Sequence, residues 1–491
     1  MAPLLASLRD ASYPQLAKAD GGRRWQRSLE RRESWHAPPM AAAVRRETSA
    51  RLLTIGAYMV AMQVIARPEP GRNIDRLAQK DQPMPLDLVL RDARIAGHDA
   101  PIDVGIVGGR IVEIAAGMAA GACERSLDGR LAFPGFVDTH IHLDKSCIMD
   151  RCRGDEATVK EAVASVAAAK AGFTEADIYA RARRTLERAI VHGTTHMRTH
   201  VEVDPRIGLK GFEAIRRLKA DYAWAIDLQI CVFPQEGLIN DPGTEELLVD
   251  ACEHGADLIG GAPYLDTDPH GQIVRIFAIA DRFDIDIDFH LDFDLDPSWM
   301  HLDEVARLTE KYRRGGRVAI GHATKLSALA PDALDAAARR LADTGIAVTV
   351  LPATDLFLLG RDYPHSAPRG VTPAHRLAER GVTCSVATNN VLNPFTPFGD
   401  CSLVRMANLY ANTTHAGTAR ELAACFDLVT TAPARLMNIA DYGIAIGAPA
   451  DIVVLDATGP AAAIAALAQP MFGFKRGRAT FTWPLPVMQR Q

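Results

Sequence analysis

The sequence predicts an α/β fold: a (β/α)8 barrel of the TIM type carrying a small β-sandwich built from both ends of the chain. Three observations predict it. Between residues 131 and 389 eight short apolar runs alternate with amphipathic stretches, as parallel strands joined by crossover helices do, and eight strands close a barrel. Glycine-punctuated β texture flanks this region, in DLVLRDARIAG and IDVGIVGGRIVEIAAG before it and in GIAIGAPADIVVLDA and FGFKRGRATFTW after it. The length, 491 residues, accommodates a barrel of about 250 to 330 residues with an accessory domain.

The eight runs, in order, are LAFPGFVDTH (131–140), THMRTHVEVD (195–204), DLQICVFPQ (227–235), DLIGGAP (257–263), DIDFHLD (286–292), RVAIGHA (317–323), AVTVLPA (347–353) and TCSVATN (383–389). Between them, TVKEAVASVAAAKAGF, LDEVARLTEKYRRG and PDALDAAARRLADTG place apolar residues three and four apart and end near Gly or a basic residue, the pattern of helices covering a sheet. The expected division is a composite β domain of residues 84–133 and 440–485 around a barrel of residues 134–439. Residues 1–83 differ in texture, with arginine pairs at Arg23 and Arg24, Arg31 and Arg32, and Arg45 and Arg46, and read as an appended extension, flexible or started too early. Its apolar stretch, 52–66, is too short to span a bilayer and lies too far in for an ordinary signal peptide.

Composition narrows the partners. Hydrophobic residues are 48% and charged residues 23%, as in ordinary globular chains, and a formal charge of -5 offers no electrostatic footprint for nucleic acid. A small, uncharged or mildly polar molecule fits better. The eight cysteines are scattered without a CxxC, which fits a reducing, cytoplasmic setting and gives no reason to assign a disulfide.

In such a barrel the C-terminal strand ends face the active site, and here they are rich in histidine. Strand one ends in His140-Ile141-His142; residues two apart on a strand point the same way, so both imidazoles can reach one ion. Strand five supplies His290 and strand six His322. Any one of these alone reads as an ordinary buried histidine. Four at the strand ends of one barrel point to a divalent metal, and imidazole ligands favour Zn²⁺ or Fe²⁺. Strand four, LIGGAPYLD, offers no lysine to bridge a second ion, so one ion is expected.

The motifs FPGFVDTHIHLDK, MRTHVEVD, DLQICVFPQEG, IDFHLD, GHATKL and NNVLNPFTPFGD, in this order, resemble the cytosine deaminase branch of the amidohydrolase superfamily, which also holds isopropylammelide-type amidohydrolases. The resemblance spans about residues 84 to 480. It implies a barrel with a small β domain, self-association, and a single divalent ion that activates water to displace ammonia or an amine from an N-heterocycle. Carried onto this chain, it makes His140, His142 and His290 metal ligands and His322 a partner of the activated water or the substrate. Gln235 would hydrogen-bond the substrate ring or cap its loop. Lys145 would neutralise a substrate anion or pair with Asp144. Asp292 would orient a ligand imidazole or stand as a solvated strand-end carboxylate.

Two departures set this chain apart. Phe293 stands where the family has a proton-shuttling glutamate, three residues after the strand-five histidine. Asn389 stands where the family has its aspartate ligand and base, followed by Asn390 where a second, substrate-facing aspartate is usual. An Asn oxygen can still coordinate an ion, but neither amide is a base near neutral pH. A positioned acid or base is worth about 10² to 10⁴ in rate, so another group must carry the proton. The candidates are Asp292, Asp294, Asp355, Asp400 and, foremost, His322, whose ordinary pKa suits the task. The expected function is hydrolysis of a non-peptide C–N bond in a small N-heterocycle or cyclic amide or amidine. The alternatives are a catalytically impaired protein that binds a ring compound, and an amidohydrolase cleaving a lactam or ester.

Overall fold

The computed structural model describes residues 85–152, 157–484 and 486–489; the Arg-rich extension lies outside them. Eight parallel strands form the barrel: β1 (Phe136–Ile141), β2 (Thr194–Glu202), β3 (Asp227–Phe233), β4 (Leu258–Ile259), β5 (Asp286–Leu291), β6 (Val318–His322), β7 (Ile346–Val350) and β8 (Cys384–Val386). Each pairs with its sequence neighbour, and a parallel bridge between Ile141 and Asn389 closes the ring from β8 back to β1. The strands are buried along nearly their whole length, as they must be with helices outside and a packed interior within.

The first run divides. Leu131–Phe133 pairs antiparallel with Ile452–Leu455 in the β-sandwich, while β1 begins only at Phe136. Gly135 makes the turn between them: its φ is +87°, and a Cβ there would lie 2.3 Å from Thr195 Cγ2. Strand four shrinks to two residues because Gly260 and Gly261 follow it, where a Cβ would meet Asp288 O at 2.1 Å and Gln272 Oε1 at 2.6 Å. The expected helices form at Val159–Lys170, Leu302–Tyr312 and Pro331–Thr344.

The sandwich comprises two four-stranded sheets. One is ordered Arg110–Ala115, Ile102–Val107, Leu88–Ala93, Cys123–Ser126; the other is ordered Arg478–Thr482, Pro470–Lys475, Ile452–Leu455, Leu131–Phe133. Leu88, Leu90, Ile452, Val454, Phe472 and Phe474 share its core, so the second sheet is made by both ends of the chain around the barrel. All eight cysteines are free. No helix among the described residues is long and apolar enough to cross a membrane.

A charged cluster joins the sandwich to the foot of the barrel. Lys475, fully buried, sits 2.6 Å from Asp451 and 2.7 Å from Asp227, with His196 Nε2 3.5 Å from Asp227. The ammonium occupies the space between the carboxylates that a cation would otherwise claim. Burial, assisted by Lys475, holds the His196 pKa down at about 4. The unfolded chain, with an ordinary histidine value near 6.5, therefore binds this proton first, and stability must fall as pH drops from about 6.5 toward 4. At pH 5 the contribution is about 2 kcal/mol, from roughly 1.4 kcal/mol per pH unit. His196→Gln is expected to narrow the gap between urea midpoints at pH 7.5 and pH 5; an unchanged gap would contradict the assignment.

Candidate metal centre and active site

The strand ends bring the predicted histidines together. Nε2 of His290 lies 3.0 Å from Nε2 of His140 and 3.2 Å from Nε2 of His142. Ligand nitrogens about 3.3 Å apart are what a tetrahedral ion with bonds near 2.0–2.1 Å requires. Burial holds all three imidazoles well below their usual pKa, so each presents a lone pair. Gly321 of β6, in register with His290, leaves space for the His140 ring; a Cβ there would stand 3.1 Å from His140 Cε1 and Nδ1. Nδ1 of each of the three histidines is buried without a hydrogen-bond partner, so the rings are positioned by packing.

A fourth imidazole belongs to this centre. His200 of β2 stacks on His140 with ring centroids 3.7 Å apart and planes inclined by 22°. His140, His200 and His290 also have nitrogens within 4.8 Å of one another, which makes an alternative triplet. His142 Nε2 is placed against His290 at 3.2 Å, and His200 Nε2 faces Asp288 Oδ2 at 3.6 Å, so His140 and His290 are common to both sets. Asp288 in turn holds Arg198 at 2.8 Å. Burial would raise the Asp288 pKa, but His200 and Arg198 bring it below the usual carboxylate value. His200 was legible as one more strand histidine in MRTHVEVD; without a second histidine two residues away it reads as core.

His322 ends β6 in a left-handed conformation, φ +65°, followed by Ala323 at +48°. Asp292 and Asn389, closing β5 and β8, have φ of +50° and +64°. Non-glycine residues in this region cost about 1–3 kcal/mol each and gather at functional sites. The turn places His322 Nδ1 2.7 Å from Asp355 Oδ1, on the helix Pro352–Leu358. Asp355 is fully buried; burial raises its pKa, and His322 opposes the rise. Of the replacement acids weighed from sequence, this is the one that reaches a site histidine. Asp294 pairs with Lys325 at 3.2 Å, and Asp400 accepts from the Ser402 backbone.

Asp292 departs from both expectations. It is buried, and its carboxylate accepts the backbone N–H groups of His301 and Leu302 at 2.9 and 3.2 Å, capping the helix Leu302–Tyr312. Neither oxygen orients a ligand imidazole. Lys145 also differs: its Nζ donates to Glu202 Oε1 at 2.7 Å and to Gln235 Oε1 at 2.8 Å, while Asp144 takes the Lys145 backbone N–H. Holding Oε1 in this way leaves the Gln235 NH₂ available to donate. Glu202 bridges onward to Lys170, which also meets Asp204 and Glu236, each at 2.6 Å. Burial and the nearby Glu202 push Glu236 up to about 8.

The two asparagines form an amide ladder. Asn390 Nδ2 donates to Asn389 Oδ1 at 3.0 Å, and Asn393 Nδ2 donates to Asn390 Oδ1 at 2.7 Å. Asn389 Oδ1 keeps a second lone pair, and its buried Nδ2 has no partner. Phe293 packs on His322 with centroids 4.1 Å apart, so a phenyl ring covers the side from which a shuttle carboxylate would act.

With this geometry in place, comparison with known proteins is direct. The chain matches the amidohydrolase family over residues 124–226 and 212–470 and belongs to it. It is 29% identical over 407 residues to N-isopropylammelide isopropyl amidohydrolase of Pseudomonas sp. strain ADP, covering 80% of this chain and 96% of that protein. It is 30% identical to a pterin deaminase of Rhizobium rhizogenes over 72% of this chain and 82% of the relative. The crystal structure of 5-methylcytosine deaminase from Klebsiella pneumoniae with 5-fluorocytosine superposes with a TM-score of 0.78 at 28% identity, covering 82% of this chain and 99% of that one.

Gly321→Ala is expected to weaken divalent-ion affinity while leaving the barrel folded, because the added methyl presses on the His140 ring. Competition with a chelating dye, alongside far-UV circular dichroism, checks this; unaltered affinity would refute it.

Proposed function

We propose that the chain is a divalent-metal-dependent hydrolase that cleaves a non-peptide C–N bond of a small N-heterocycle or cyclic amide or amidine, releasing ammonia or an amine. The observation that carries the reading is the approach of the His140 and His142 Nε2 atoms to Nε2 of His290, at 3.0 and 3.2 Å, beside an imidazole held by a buried carboxylate. The substrates named for the relatives, an ammelide, a pterin and a cytosine, share an aminated ring. One ion, zinc or iron, would be held by His140, His142 and His290, with Asn389 Oδ1 as a neutral fourth donor. When bound, such an ion supplies Lewis acidity and lowers the pKa of water.

The chain's own residues then have the following roles. Asp355 accepts Nδ1–H of His322 and so fixes the tautomer that leaves Nε2 free to take a proton from the attacking water. The imidazolium formed is stabilised by the same carboxylate and returns the proton to the departing nitrogen. Gln235, its amide oriented by Lys145, donates to a ring carbonyl or imine nitrogen. Phe293 shields His322 from bulk water and makes it, rather than a glutamate, the proton carrier.

His322→Gln is expected to lower kcat about 10² to 10⁴-fold with little change in KM, measured as ammonia or amine release from a panel of aminated heterocycles by zinc- or iron-loaded protein. Asp355→Asn, which disturbs the tautomer, should lower kcat in the same direction. Protein purified without a divalent ion and unable to bind one, or release that persists unchanged in His140→Ala, would sink the proposal. Tight ring binding without turnover would instead support the impaired-enzyme reading motivated by Phe293 and Asn389.

A further inference from the structure

We propose that the cavity beside Phe293 is a substrate subsite for an uncharged, aryl-sized group carried on the reacting heterocycle. The inference rests on the hydrolase reading above and names the class of substrate. The cavity, about 580 Å³, is lined by Phe293, Trp299, Leu358, Leu359, Arg361 and Tyr363 among others. It is separated from the proton-carrying imidazole by one residue, since the Phe293 ring lies against His322 and Phe293 is among the residues lining the cavity. A monocyclic six-membered ring with its amino group fills only a minor part of such a volume; pockets of this size usually hold larger molecules.

The wall is built as an aromatic platform. Trp299 is 54% exposed and Tyr363 51% exposed, although both are large apolar side chains. Trp299 is fixed in place. Lys325 Nζ lies 4.1 Å from its ring centroid and donates to its carbonyl oxygen at 3.0 Å, and His301 meets the ring edge-on at 4.5 Å. Holding an exposed indole rigid costs entropy that a purely structural residue need not spend, and it prepays the ordering that stacking a ligand ring requires. Phe293 lies between His322 and this cavity, where an acid would place a charge at the cavity's edge and phenyl keeps that edge apolar. Charges in the wall are balanced, with Asp294, Asp296 and Asp362 against Lys160, Lys325 and Arg361. Lys325 is already paired with Asp294. No sign of charge is favoured in the occupant, so the group is neutral and flat.

The test uses two neutral probes differing only in this group, 2,4-diamino-6-methyl-1,3,5-triazine and 2,4-diamino-6-phenyl-1,3,5-triazine, with the zinc-loaded full-length chain. Titration calorimetry should give a Kd at least about tenfold lower for the phenyl compound. Trp299→Ala and Tyr363→Ala, both at exposed positions, should each remove most of that preference while leaving the methyl compound's Kd unchanged. Equal affinities for the two probes, absence of binding by both, or variants that weaken both alike would overturn the subsite. Ammonia release is followed in parallel. A phenyl preference without release would sink the hydrolase reading but leave the subsite standing, whereas release from the methyl compound with no phenyl preference would sink the subsite alone.

Discussion

Two backbone hydrogen bonds hold the centre together. The N–H of Asn389 donates to His140 O at 2.7 Å, and the N–H of His142 donates to Asn389 O at 3.0 Å. They join the last barrel strand to the first, and they do so at the residues that bear the first two imidazoles and the first amide. Closing the barrel and assembling the centre are therefore one event. The left-handed φ of Asn389 lets the chain make both bonds and then turn away; Asn and Asp tolerate this conformation better than other non-glycine residues. A residue at this position must satisfy the backbone first and offer a side-chain oxygen second, and an amide meets both demands.

The loss of carboxylates at 293 and 389 is answered by a different arrangement of charge. Asp355 is held 2.7 Å from Nδ1 of His322, the imidazole proposed to carry the proton. Three further acids on this face, the buried Glu202 and Asp204 and the partly buried Glu236, are gathered around Lys145 and Lys170. Burying such a cluster is favourable only where the charges are closely paired, and the pairing leaves Lys145 pointing at Gln235. The amide proposed to meet a polar substrate edge thus has its orientation set by an ion-pair network, while Phe293 makes the side next to His322 apolar.

Most of the barrel could be read from the chain because its strands are buried on both faces and appear as continuous apolar runs. The histidine pair at 140 and 142 was legible for the same reason that it functions, since a period of two keeps both on one face. Boundaries were less legible. Residues 131 to 140 read as one apolar run across the expected domain boundary at 133, and the close approach of Thr195 to Gly135 shows how the chain turns from one sheet to the other there. Side-chain partners across the barrel mouth were not legible at all. Asp292 caps a helix that starts ten residues later, Lys145 finds Glu202 fifty-seven residues away, and Asp355 was one of several acids until the fold set it against His322. Such pairings depend on which strand ends adjoin, and local pattern carries no record of that.

The sheet that joins Leu131–Phe133 to Ile452–Leu455 has a consequence for biogenesis. A ribosome releases the first of these segments long before the second exists, so during synthesis the short strand leading into the barrel can pair with Arg94 upstream but not with its antiparallel partner. Contacts of such sequence separation are slow to form, because the intervening loop must be closed before they repay its entropy. The barrel can close through Asn389 before Ile452–Leu455 emerges, and until then the open edge at Leu131–Phe133 is where a nascent chain of this protein is exposed to wrong pairing.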